Sequence, residues 1–256
     1  MSLDDDAAFG MKPLSAFSLP GPKPVRRTTE PARAPVPTKS ATLAGMDVIL
    51  DGSGALYWPA EDTLVVADLH LETGSSYARS GQMLPPYDST ITLGRLFDAI
   101  ARHQPSQLIA LGDSFHDPFG AERLSAEHQE ALAALGARLK VIWITGNHDH
   151  DGAASLCGTA CDALSLGGAT FKHIPTEGMP EEREVAGHLH PAARIVVRGR
   201  TLKRRAFVGC THRLVMPAFG CLTGGLPVSD PAFSGLWPGR ERPNVHLIGQ
   251  HAIHAL

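Results

Sequence analysis

The chain has 256 residues, 43% hydrophobic and 19% charged, enough apolar material for one large core or two small ones and too compact a composition for a disordered tail or a fibre. Its formal net charge of −3 argues against a surface that grips nucleic acid by bulk electrostatics, so any such contact has to be local. No apolar run reaches the roughly 18 residues of a membrane span, and residues 1–10 open with three aspartates rather than a basic and apolar leader, so a soluble, cytoplasmic protein is expected.

Thirteen histidines stand against three tyrosines and three tryptophans, a surplus of the side chain that binds metals and moves protons near neutral pH. Of the four cysteines only Cys157 and Cys161 are close in sequence. That spacing makes neither a disulfide framework nor a zinc site, and reduced, mostly buried thiols are expected.

Seven of the twenty prolines fall between residues 11 and 40, among Lys, Arg, Ser and Thr. This composition predicts a disordered or polyproline-like extension over residues 1–40 and a folded domain over residues 41–256. The first forty residues hold six basic and four acidic side chains, which leaves 17 and 22 for the rest. An acidic body that acts on a phosphate ester needs positive charge from elsewhere.

Along the body, the short aliphatic runs Thr63–Ala67, Gln107–Leu111 and 141–144 predict buried parallel strands. Between the first two, Leu93, Leu96, Phe97 and Ile100 repeat at helical spacing behind Asp88 and Ser89, either of which is a candidate N-cap. Between the second and third, Ser125 heads a helix carrying Ala131, Leu132 and Leu135, with Gly136 placed to end it. The βαβαβ order predicts a parallel sheet with helices packed on it. Beyond Gly152, strand-like pieces at 170–173, 184–186, 194–197, 202–208, 213–216 and 245–248 predict a second, mainly antiparallel or mixed sheet packed on the first.

The three parallel strands end in Asp68-Leu69-His70, Gly112-Asp113 and Gly146-Asn147-His148-Asp149, and open α/β sheets bind ligands beyond the carboxyl ends of their strands. Phe171-Lys172-His173 and Gly187-His188-Leu189-His190 follow later strands. In Asp68-x-His70 and His188-x-His190 the spacing puts both side chains on one side of an extended backbone, so that each pair can turn toward a common metal site. Asp68, Asp113 and Asn147 with His70, His173, His188 and His190 form a mixed oxygen and nitrogen set without thiolate, which suits Mn, Fe or Zn in a catalytic rather than a structural site. Two such ions about 3.5–4 Å apart clamp the attacking and leaving oxygens of a phosphoryl transfer.

The ordered set D-x-H, G-D, G-N-H-D, H and G-H-x-H resembles the calcineurin-like metallophosphoesterase superfamily. The segments DLHLE from Asp68, LPPYD from Leu84, GHLHP from Gly187 and LVMPAFG from Leu214, with TGG from Thr223, are similar to the bacterial ligase-associated DNA damage response endonuclease (PdeM) family, a likeness that runs from about residue 45 to 255. The resemblance implies an α/β fold, a four-layer α/β/β/α sandwich of two mixed sheets. It implies Asp68, His70 and His190 on one divalent ion and Asn147, His173 and His188 on another, with Asp113 bridging; Mn²⁺ is the expected metal, Fe or Zn the alternatives. His173 is followed by Ile174-Pro175 where the superfamily commonly has Gly.

The same resemblance implies His148 as the catalytic group that contacts the scissile phosphate or protonates the leaving oxygen, Asp149 as the residue that orients its imidazole, and in-line attack by a metal-bridging hydroxide. It implies a DNA endonuclease of DNA repair that works beside a DNA ligase. A phosphoesterase of a small nucleotide or cyclic nucleotide, and a non-catalytic scaffold of the same fold, are the alternatives. Arg79, Tyr87, His116 and His150 lie near the motifs and are candidate substrate contacts by position. The basic run Arg198, Arg200, Lys203, Arg204 and Arg205 brackets a hairpin turn at Gly199 and is either a solvated face or a contact to a phosphate backbone.

Overall fold

The computed structural model describes residues 35–149, 153–197, 199–237 and 241–256. The expectations for residues 1–34, His150 and Arg198 lie outside the described residues. Seven strands build the first sheet: β1 (Thr38–Leu43), β2 (Met46–Asp51), β3 (Leu56–Trp58), β4 (Thr63–Ala67), β5 (Gln107–Leu111), β6 (Lys140–Ile144) and β7 (Thr159–Cys161), neighbours in that order. β1 to β4 form an antiparallel meander. β4 to β7 are parallel, and the helices α1 (Thr73–Arg79), α2 (Asp88–His103), α3 (Gly120–Arg123) and α4 (Ala126–Gly136) lie in the crossovers.

The second sheet contains β8 (Ala163–Leu166), β9 (Ala169–Lys172), β10 (Arg183–Ala186), β11 (Pro191–Val197), β12 (Arg200–Gly209), β13 (Arg213–Val215) and β14 (Leu226–Pro227), in the order β14-β11-β12-β13-β10-β9-β8. β15 (Asn244–Ile248) pairs with the far half of β12, and β16 (Ile253–Ala255) with β15. It is mixed: β10 runs parallel to β9 and β13, whereas β11 and β12 form an antiparallel hairpin.

Period-two alternation in the central strands sorts side chains into two cores. Val65, Ala67, Ile109, Leu111, Ile142 and Ile144 face the second sheet and meet Phe171, Val185, Phe207 and Leu214. The intervening Leu64, Val66, Leu108, Ala110, Val141 and Trp143 face α2 and α4, where Leu93, Leu96, Leu132 and Leu135 cover them. Runs that read as uninterrupted apolar strands are therefore buried on both sides. The outer face of the second sheet carries a thinner fourth layer, the 3-10 turn Pro231–Phe233 with Leu236 and Trp237, packed on Leu189, Val215, Ala193 and Val208.

Local details depart from the sequence reading in two places. β1 starts at Thr38, ahead of the boundary expected at residue 41, and pairs along its whole length with β2. Asp88 and Ser89 do not cap α2: Tyr87 holds the cap position without a side-chain bond. They are the first two residues of the helix and reach back to the α1 entry, Asp88 Oδ2 accepting from the Gly74 N–H at 3.2 Å and Ser89 Oγ donating to Glu72 Oε1 at 2.7 Å. Ser125 does cap α4, accepting from the His128 N–H at 3.3 Å. The four cysteines are free, Cys157 and Cys210 buried and the other two half-buried. Among the described residues no helix is long and apolar enough to cross a membrane.

Candidate metal centre

Beyond the ends of β4, β5 and β10 the chain does not stay extended. Asp68, His70, Asp113, His188 and His190 all take left-handed backbone angles, with φ of 53°, 43°, 45°, 69° and 46°. A non-glycine residue pays for this conformation in strain, about 1–3 kcal/mol each, though Asp and His tolerate it better than most. The i, i+2 argument from an extended strand is corrected accordingly. Left-handed steps flank the buried Leu69 and Leu189, and Asp68 and His70 reach one donor cluster while His188 and His190 go to different ones.

The loops hold one another through main-chain and carboxylate bonds. The His70 N–H donates to the Asp113 carbonyl at 2.9 Å, the His188 N–H to the Asp68 carboxylate at 3.1 Å, and the His148 N–H to Asp113 Oδ1 at 3.0 Å. Two glycines make the close approach possible. A Cβ on Gly112, whose φ is +72°, would lie 2.4 Å from His173 Nδ1, and one on Gly146 would lie 2.2 Å from both the Asp113 amide nitrogen and its Oδ1.

Two donor clusters result, Asp68 with His70 and His190, and Asp113 with His173 and His188, each with one donor atom per residue within 4.8 Å of the others. His70 Nε2 and His190 Nε2 face each other at 3.4 Å, and His188 Nδ1 and His173 Nε2 at 3.2 Å. Two imidazole nitrogens each about 2.0–2.1 Å from one ion are separated by roughly 3.0–3.4 Å for right-angled to tetrahedral ligation, so the observed spacing fits a shared metal ion. His173 Nδ1 donates to the Leu111 carbonyl at 2.9 Å, which leaves Nε2 as the free donor, the usual arrangement behind a metal-ligating imidazole. Asn147 Oδ1 lies 2.9 Å from that Nε2. Asp113 Oδ2 is 3.8 Å from His70 Nε2 and 3.4 Å from His173 Nε2, which puts this carboxylate between the clusters. The Ile174-Pro175 step after His173 does not pull its ring out of the site.

Burial pushes the His70 pKa down to about 4, so near neutral pH its ring is uncharged with a lone pair available, and its approach to Asp113 is no ion pair. Burial also works against charge on Asp113, but His173 and the His148 N–H outweigh it and hold the carboxyl below the usual range. At His173 burial is again outweighed, here by Asp113 and Asp68, and the pKa rises. Burial raises Asp149 to about 6.

His148 stands at the edge of the centre, half exposed, with Nε2 3.9 Å from Asp113 Oδ2. Its Nδ1 pairs with the His116 carbonyl at 2.9 Å. The orienting role expected of Asp149 is therefore corrected. That carboxylate turns inward and accepts from the Phe115 N–H at 3.1 Å, bracing the loop that carries Asp113. Among the three described substrate candidates, Arg79, Tyr87 and His116, only His116 lines the cleft of about 240 Å³ formed with His70, Tyr77, His148, His190 and the 222–224 loop. Arg79 sits over the Phe119 ring at 5.7 Å, Tyr87 is exposed at the head of α2, and neither lines that cleft. Tyr77, 5.4 Å from the His116 ring between centroids, was not foreseen; nothing in its sequence setting marks it beyond its place on the short helix after the first motif. A second depression of about 250 Å³ opens beside Asn147 and His173.

A family model of calcineurin-like phosphoesterases matches residues 62–236. The chain belongs to the calcineurin-like phosphoesterase family. It is thus a phosphoesterase by family, and its two donor clusters suit a pair of divalent ions. The solved structure of the Pseudomonas putida nuclease MPE is 30% identical, with a TM-score of 0.68, and the match covers 86% of this chain and 100% of that one. Yfce, a phosphoesterase from E. coli, is 15% identical at a TM-score of 0.40, over 76% of this chain and 97% of its own. No curated protein matches the sequence.

Proposed function

We propose that the protein is a dinuclear metal-dependent phosphodiesterase that cuts DNA, as an endonuclease working in repair beside a DNA ligase, with Mn²⁺ as its metal. The observation that carries the reading is the pair of donor clusters joined at Asp113, with the His148 ring open to the cleft beside them. The likeness to the P. putida nuclease, which spans all of that protein, favours a nucleic acid over a small substrate.

Asp68, His70 and His190 would hold one ion and Asn147, His173 and His188 the other, with Asp113 shared. Two divalent ions there would supply the positive charge that the acidic body lacks and would make water a stronger acid near neutral pH. The residues themselves do the rest. The main-chain N–H groups of His188 and His148 fix the Asp68 and Asp113 carboxylates. His148, its Nδ1–H directed at the His116 carbonyl, presents Nε2 to the cleft. As an imidazolium it donates a proton from Nε2 to the leaving oxygen.

The test is a substrate panel with Mn²⁺ added to the full chain: bis(p-nitrophenyl) phosphate, p-nitrophenyl phosphate, cyclic nucleotides, and nicked or single-stranded DNA. Cleavage of the synthetic diester and of DNA is expected. Turnover of cyclic nucleotides without DNA cleavage would overturn the endonuclease reading, and failure to bind any metal would leave only a scaffold.

A further inference from the structure

The β11–β12 hairpin starts at the candidate centre, since β11 begins at Pro191, next to His190. Arg194 follows four residues after that histidine, about 13 Å along an extended strand. In the hairpin register Arg194 lies opposite Lys203, Ala193 opposite Arg204, and Val197 opposite Arg200. Two cations thus face each other across the strands, a pairing that destabilises a hairpin unless an anion lies between them. Arg194, Arg200, Lys203 and Arg204 are all exposed. Among the described residues none of the four pairs with an acidic group. Their polar contacts are to main chain: Lys203 donates to the Gly225 carbonyl and Arg204 to that of Lys203. Arg205, by contrast, is turned in and committed to the Ala218 carbonyl at 2.9 Å.

The Lys203 contact ties the ribbon to the cleft wall, because Gly225 follows the 222–224 loop that lines it. By the same register Arg194 and Lys203 share one face of the ribbon with Val196, which is 72% exposed, whereas Arg200 and Arg204 project from the other face. In a chain whose net charge is −3, four uncompensated cations on one ribbon are a local departure from the acidic whole.

We propose that the β11–β12 hairpin, with Arg194 and Lys203 on one face and Arg200 and Arg204 on the other, is the ribbon that grips the phosphodiester backbone of a nucleic-acid strand and leads it to the cleft. This rests on the phosphodiesterase reading above and adds the substrate-holding element to it. Each phosphate neutralised by a cation releases counterions, so binding there weakens steeply with salt.

The experiment measures binding of a labelled single-stranded oligonucleotide as a function of salt, in the His148→Asn background so that the strand is not cut, with and without Arg194→Gln, Arg200→Gln and Arg204→Gln together. Among the described hydrogen bonds it is Lys203, and none of these three, that reaches the 222–225 loop. The expected result is at least a tenfold weaker affinity at about 100 mM salt and a salt slope smaller by about 2, at roughly 0.7 per lost phosphate contact on a single strand. With His148 intact, the triple variant should hydrolyse bis(p-nitrophenyl) phosphate within twofold of the parent. An unchanged affinity and slope would overturn the hairpin assignment while leaving the phosphodiesterase reading intact. An equal loss on the small diester would also overturn it, because the residues would then be supporting the cleft rather than gripping a strand. No small-diester hydrolysis by the unaltered protein would count against the phosphodiesterase reading alone, and the salt slope would still decide the hairpin. Lys203→Gln is the second variant: it should lower the slope by less than the triple change and leave the melting temperature within a few degrees.

Discussion

The His148 imidazole is held by the main-chain carbonyl of His116, with Nδ1 2.9 Å from the oxygen, and the two rings stack at 5.8 Å between centroids. A carbonyl cannot be removed by mutating a side chain, which makes the orientation of His148 insensitive to most substitutions nearby. His148→Asn should therefore lower kcat by about 10²–10⁴-fold, the usual worth of a positioned proton donor, with the metal content unchanged by elemental analysis. Asp149→Asn, which keeps an oxygen acceptor for the Phe115 N–H, should cost far less, within about tenfold. Equal losses in the two variants would restore Asp149 as the orienting group; loss of metal from His148→Asn would make His148 a ligand.

Gly112 is the position where a single methyl should dismantle half of the centre. Its Cβ would press on His173 Nδ1 at 2.4 Å, and its φ of +72° already disfavours a side chain. Gly112→Ala should reduce bound metal from two ions to one and abolish diester hydrolysis. Gly168→Ala is the control: it has a φ of +74° but nothing within 4 Å, so it carries the backbone strain of about 1 kcal/mol without the collision. Full metal loading in both variants would refute the crowding argument.

Much of this was legible in the chain. The three central strands carry aliphatic side chains on both faces, and such runs stand out in a sequence; the metal-type residues stand just past them because strand ends are where the loops begin. β1 was harder to see. Its exposed Thr38, Ser40 and Thr42 alternate with half-buried Lys39 and Ala41, and only Leu43 is a large buried apolar side chain, so its partner β2 supplies most of the apolar face. The left-handed turns at Asp68, His70, Asp113, His188 and His190 were not legible at all, since Asp and His carry no turn signal as strong as glycine's. Spacing alone thus indicated the right cluster for Asp68 and His70 by the wrong geometry, and it could not foresee that His188 and His190 part company. Asp149 was misplaced for a related reason: adjacency to His148 says nothing about which way a buried carboxylate turns.

Acid stability should depend on Asp51, far from the centre. Its carboxylate is buried, and burial alone would raise its pKa, but hydrogen bonds from His103, Arg102 and Ser53 outweigh that and hold it well below the ordinary carboxylate range. The distances are 2.8 Å to His103 Nε2, 3.0 and 3.1 Å to the Arg102 guanidinium, and 2.8 Å to the Ser53 N–H, joining the end of α2 to the β2–β3 turn. Because the folded pKa is depressed, the stabilisation is complete above the unfolded value of 3.8 and is lost as pH falls below it. Asp51→Asn should lower stability by about 2 kcal/mol at pH 7, the usual worth of hydrogen bonds to a charged group, and flatten the fall between about pH 4 and pH 2. Urea titrations at several pH values would show it; parallel curves for the two proteins would rule the cluster out as a source of acid sensitivity.

Arg213 offers a sharper comparison, because it is buried and does two jobs at once. Its Nε donates to Glu184 Oε1 at 2.5 Å, while its Nη groups serve the carbonyls of Leu236, Thr176 and Gly178. A buried ion pair by itself is often replaceable by well-packed apolar groups at little cost. Here that replacement should fail, since Arg213→Met with Glu184→Leu would strand three main-chain carbonyls as well as the Thr176 N–H that Glu184 accepts at 3.0 Å, each about 1–3 kcal/mol if left without water. Arg213→Met should cost more than Glu184→Gln, which keeps an acceptor, and the double variant should not recover the loss. Chemical denaturation of the three proteins gives the comparison directly. A double variant as stable as the parent would mean that neither the ion pair nor the carbonyl contacts add net stability over apolar packing.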